Sequence, residues 1–115
     1  DLNNLLHIIL RNSKLKLLYN NFFQFSSKLV FLDLSESEIE AIEPNFYDGL
    51  KQLTTLKLAS INLKSDSRGN KISQSIETHG LNSLKELGSL FLSLTRIRKD
   101  FFKSQTKLKY LVNKP

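Results

Sequence analysis

Apolar residues recur along this chain in a fixed frame, neither at helical spacing nor in plain alternation. Leu29, Leu32 and Leu34 return as Leu53, Leu56 and Leu58, each displaced by 24 positions, and the same step backwards gives Leu5, Ile8 and Leu10. Leu15, Ile39 and Leu63 keep that step, as do Leu18 and Ile42, and Phe22 and Phe46. A fixed period of this size marks a repeat architecture, in which one unit cannot bury its apolar face alone and stacks on its neighbours. A fourth copy starts with Leu87, Leu90, Leu92, Thr95 and Ile97, and a partial fifth begins at Leu108 and Leu111. The third copy is overlong. Its surplus lies within 64–80, where Lys64-Ser-Asp-Ser-Arg-Gly-Asn is polar and contains glycine, the composition of an exposed loop.

The second copy, Leu29-xx-Leu32-x-Leu34-xx-Ser37-x-Ile39-xx-Ile42-xxx-Phe46-xxx-Leu50, resembles the leucine-rich repeat in its 24-residue, typically extracellular form. The resemblance covers nearly the whole chain. It implies an α/β-type repeat solenoid of about four right-handed coils, with a short parallel concave β-sheet and an irregular or helical convex side. Two departures stand out. At the turn after the strand, where the family usually has Asn, this chain has Ser13, Ser37, Ile61 and Thr95. Ser and Thr supply part of the amide's hydrogen bonding, and Ile61 supplies none. Neither of the family's cysteine-containing caps is visible. Terminal repeats normally need a polar outer face, so the expectation is a piece of a longer solenoid, or a short one shielded by a partner or by self-association.

Within each short strand the leucines point inward and the residues between them point out. With parallel coils, one outward column should read His7, Phe31, Thr55, Ser89, Tyr110, and the next Ile9, Asp33, Lys57, Phe91, Val112. A third should read Arg11, Ser35, Ala59, Ser93. Exposed aromatics among scattered charges are the composition of binding hot spots. The candidate ligand-binding residues are therefore His7, Ile9, Arg11, Phe31, Asp33, Thr55, Lys57, Ser89, Phe91 and Tyr110. The bland alternative packs Phe31 and Phe91 on neighbouring columns. Phe22, Phe46 and Phe102 read as core on the convex side, with Phe23, Phe25 and Phe101 partly buried beside them.

Composition changes this picture little. The 115 residues are 40% apolar and 24% charged, an ordinary single domain. No apolar run reaches the roughly 18 residues a membrane span needs. The start, Asp1-Leu-Asn-Asn, shows neither a signal-peptide pattern nor an initiator Met, so the expectation is a processed product or a cut-out segment. The net charge of +6 is unevenly spread. Residues 29–50 carry only acidic charges, whereas Arg96, Arg98, Lys99, Lys103, Lys107 and Lys109 make the end basic. That flank is the basis of the main alternative, a nucleic-acid-sensing segment whose binding falls steeply with salt. A purely structural spacer is the third possibility.

Catalytic and cofactor chemistry find no support. There is no Cys, and His7 and His79 sit in different coils without partners at metal-ligand spacing. The acidic run 35–40 falls on a turn, which offers no cleft for a carboxylate pair. The expectation is no enzyme, no metal and no cofactor. Instead, the resemblance implies recognition of a protein ligand or co-receptor through the concave face or the inserted loop. The setting it suggests is a secreted protein or the ectodomain of an immune or adhesion receptor of the Toll-like kind.

Overall fold

The computed structural model describes residues 4–37, 41–43, 45–58, 81–92 and 102–113. The loop 64–80, Ile61, Thr95 and Phe101 lie outside these.

Each LxL core of the frame forms one short strand. These are β1 (His7–Ile9), β3 (Phe31–Asp33), β5 (Thr55–Lys57), β6 (Ser89–Leu92) and β7 (Tyr110–Asn113). They make one five-stranded parallel sheet in the order β1-β3-β5-β6-β7. Register follows the period: His7 faces Phe31, Phe31 faces Thr55, Thr55 faces Ser89, and Ser89 faces Tyr110. The ladder extends past the strand ends, with Val30 N donating to Leu6 O at 2.8 Å and Gly88 N to Thr54 O at 2.8 Å. A second, two-stranded parallel sheet pairs β2 (Leu17–Leu18) with β4 (Ala41–Ile42) on the descending side of the first two coils.

The core is a stack of leucine layers. Leu29, Leu32, Leu34, Leu53, Leu56, Leu58, Leu87, Leu90 and Leu92 are all buried, while the first coil's Ile8, Leu10 and Leu15 only pack against that cluster. In the outer layers Leu5 and Leu111 are exposed, because an end coil has a neighbour on one side only.

After the strand, the chain turns through a left-handed residue at equivalent points of coils one and two, Asn12 and Glu36. Here the serines take over the amide's role. Ser13 Oγ and Ser37 Oγ lie 3.2 Å apart, and Ser37 Oγ donates towards Leu10 O of the preceding coil at 3.3 Å. One short hydroxyl thus ties two coils at the turn.

The return side corrects the expected aromatic column. Phe22 is half exposed and Phe25 is 69% exposed, whereas Phe23 and Tyr47 are buried with Phe46. The cause is a three-residue rhythm leading into each strand. Ser26 N bonds Phe23 O and Leu29 N bonds Ser26 O, and the same pattern links 47, 50 and 53, then 81, 84 and 87, then 102, 105 and 108. In such 3₁₀-like turns residues three apart eclipse, so positions three and six before the first leucine point inward together. The aromatic slot is set by counting back from the next strand, which aligns Phe23, Tyr47, Leu81 and Phe102. Phe46 fills space between Phe23 and Tyr47, with ring centroids 5.1 Å from each.

The same rhythm buries polar groups. Gln105 donates its Nε2 to Leu81 O at 2.5 Å, satisfying a return-turn carbonyl one coil away. The Tyr47 hydroxyl is buried with no hydrogen-bond partner among the described residues, and burial pushes its phenol well above the usual range. An unpaired buried hydroxyl costs about 1–3 kcal/mol, so Tyr47→Phe should raise the urea unfolding midpoint, by about 1 kcal/mol in stability. A lowered midpoint would mean the hydroxyl is satisfied in solution.

Candidate interaction face

The sheet's outward side chains form an open surface. Its centre is a cluster of four residues contributed by four coils. The Lys57 ammonium lies 5.0 Å from the Phe91 ring centroid and 5.5 Å from that of Phe31. Behind Phe31, the His7 ring stacks at 5.6 Å with a 51° tilt. This arrangement follows from register. Lys57 stands opposite Phe91 across one ladder, and Phe31 opposite Thr55, one column over, across the other. A lysine stem reaching along the sheet therefore brings its charge between two rings. Each such contact is worth roughly 0.5–1 kcal/mol at an exposed site, enough to favour one lysine position. Phe31, Lys57 and Phe91 are each half-buried, with Thr55 and Ser89 beside them.

Asp33 differs from its neighbours in the column in being buried, although it is in register opposite Lys57. The carboxylate accepts from Ser35 N at 2.9 Å and lies 3.7 Å from Arg11 Nε. Asp33 closes a local turn of the kind aspartates form with a backbone N–H two residues on. Its carboxylate is thus engaged by groups of its own chain. Arg11 also pairs with Glu36 at 3.3 Å, so its guanidinium bridges two carboxylates of the next coil.

At the edges of the sheet, Ile9 and Tyr110 are largely exposed, and Val112 is less so, at 36%. These residues share the columns of the central cluster.

The basic flank is only partly in view. Arg96, Arg98 and Lys99 lie outside the described residues. Lys103, Lys107 and Lys109 are exposed on the last return, and Lys107 Nζ is paired with Glu86 at 2.6 Å. One of the three visible cations is thus already neutralised by its own chain.

A second apolar surface was not anticipated. Leu17, Tyr19, Phe22 and Phe25 are all exposed on the return side of the first coil. The backward count from Leu29 carried the missing signal, because it assigns Phe23 to the core and leaves Phe22 and Phe25 outside. Among the described residues, no group of His, Cys, Asp and Glu is placed to hold a metal ion. No helix among them is long and apolar enough to cross a membrane.

Parallel short strands at a leucine-rich period, irregular returns and a hydroxyl-tied turn define a leucine-rich-repeat solenoid. Solved structures share this fold. The TLR13–ssRNA13 complex is similar over 96% of this chain, with a TM-score of 0.64 and 22% identity. Internalin C2 of Listeria monocytogenes is similar over 96% of the chain, with a TM-score of 0.65 and 22% identity. Human 5T4, the trophoblast glycoprotein, gives a TM-score of 0.65 over 96% at 16% identity. This chain spans 19%, 44% and 52% of those three chains respectively. No protein-family model and no curated protein sequence matches it.

Proposed function

We propose that this chain is a protein-recognition module that binds a protein ligand through the concave sheet face, as a segment of an extracellular receptor or secreted protein of the immune or adhesion type. The observation that carries this reading is the central cluster, in which Phe31, Lys57 and Phe91 from three coils are gathered on one open sheet surface. Aromatic side chains on a rigid scaffold bring large contact area at little cost in conformational freedom, and the Lys57 ammonium is already placed by the two rings. The sheet supplies that rigidity, since each strand is hydrogen-bonded to its neighbours. The 24-residue repeat form supports the extracellular setting, and the similarity to internalin C2 and 5T4 supports the scaffold but not a particular ligand.

The test is a selection of dodecapeptides displayed on phage against the chain. Binders should lose affinity by about 1–3 kcal/mol on Phe31→Ala or Phe91→Ala. They should be unaffected by Phe25→Ser, on the opposite side. Circular dichroism should show all three variants folded. Binders insensitive to both sheet-face changes would remove the concave face as the recognition surface.

A further inference from the structure

The geometry points to Lys57 as the receiving group for a single carboxylate of the protein partner, an Asp or Glu flanked by apolar side chains that pack on Phe31 and Phe91. This rests on the concave-face reading and specifies the chemistry of its ligand. The carboxylate that faces Lys57 across the ladder, Asp33, is taken by Ser35 N and Arg11. Lys57 itself makes no ion pair among the described residues; its contacts are the two rings. An ammonium held between apolar walls, without a counter-ion of its own, presents fixed positive charge at the centre of the face. A partner carboxylate placed there gains a charge-assisted hydrogen bond in a site the rings partly shield from water.

The surroundings favour one carboxylate over a polyanion. Thr55 and Ser89 beside the cluster are neutral, and Arg11, the next cation on the face, is occupied by Asp33 and Glu36. A nucleic-acid strand needs several free cations along its backbone and open ring faces for its bases. Here the Lys57 ammonium covers a face of each ring, and His7 packs against Phe31.

The experiment uses the dodecapeptides selected on the intact chain. The expected consensus is one acidic residue between apolar ones. Lys57→Gln should weaken the best peptide about ten- to a hundredfold, and changing the peptide's acid to its amide should do the same. The two changes together should cost no more than either alone, the signature of direct pairing. Lys57→Arg, which keeps the charge, should retain much of the affinity, and circular dichroism checks each variant's fold. Peptides that lose binding on Phe31→Ala yet ignore Lys57→Gln would overturn this inference and leave the concave-face reading standing. Peptides indifferent to all of these changes, or no binders at all, would overturn both. A single-stranded RNA dodecamer that outbinds the peptides and is released by Lys57→Gln would overturn the carboxylate in favour of a polyanion.

Discussion

Leu56→Ala should bring this chain to the edge of unfolding at room temperature. Leu56 is buried in the middle strand, in register with Leu32 on one side and Leu90 on the other. Truncating such a leucine costs about 2–5 kcal/mol, because the cavity left behind collapses only partly. A domain of this size has about 5–15 kcal/mol in total. In a stack, each coil holds only its neighbours, so a cavity in the middle layer weakens both halves at once. Urea denaturation followed by circular dichroism checks it. The same truncation at Leu111, exposed in an outer layer, should cost far less. Equal losses at the two positions would mean that the layers do not contribute as their burial says.

Gly49→Ala carries the second large effect, and for a different reason. Gly49 adopts φ +95°, a conformation side chains rarely take. A Cβ there would meet Phe23 O at 2.8 Å, Gln24 Cα at 2.9 Å and Gln24 O at 3.3 Å. All three are backbone atoms of the preceding coil, which cannot rotate away as a side chain would. The conformation alone costs about 1–3 kcal/mol for a non-glycine residue, and the contact forces the two coils apart in addition. The expected result is a drop in thermal midpoint of many degrees, read by differential scanning calorimetry. Gly88→Ala is the internal comparison. Its Cβ would find Thr54 O at 3.7 Å and Lys107 O at 3.8 Å, ordinary contact distances, so that variant should stay close to wild type. A similar loss at both glycines would show that the close approach at Gly49 relaxes in solution.

These two sites also show what a repeat frame does and does not reveal. Leu56 is identifiable as core from period alone, since a leucine returning at one step must face its equivalents in the stack. Gly49 is not, because its equivalent in the first coil is Phe25, so the repeat calls for no glycine at that position. The need for glycine comes from how closely the second return passes the first, a distance between coils that no single coil encodes. The return-side aromatics make the same point. Forward counting from the strand assigns Phe22 to the core with Phe46. The turn hydrogen bonds, which count backwards from the following strand, assign Phe23. Both coils are 24 residues long, so Phe22 and Phe46 share one repeat position, yet Phe22 is exposed and Phe46 is buried; spacing alone does not decide between them.

The candidate site divides in the same way. The columns His7, Phe31, Thr55, Ser89, Tyr110 and Ile9, Asp33, Lys57, Phe91, Val112 are legible, because parallel pairing with side-chain alternation leaves one register that turns the strand leucines inward. Which members of a column are available to a ligand is not legible. Asp33 and Lys57 occupy the same repeat position, yet one is withdrawn by its own turn and the other is held out between two rings.

The amino-acid order by itself determined the repeat, the short parallel strands, the leucine core and the outward columns, because period and alternation are properties of spacing along one chain. The hydroxyl tie between Ser13 and Ser37, the backward-set aromatic slot, the demand for glycine at 49 and the Phe31–Lys57–Phe91 cluster were decided only in the tertiary structure. Each depends on a distance between atoms in different coils, and those distances are set by how the coils lie on one another.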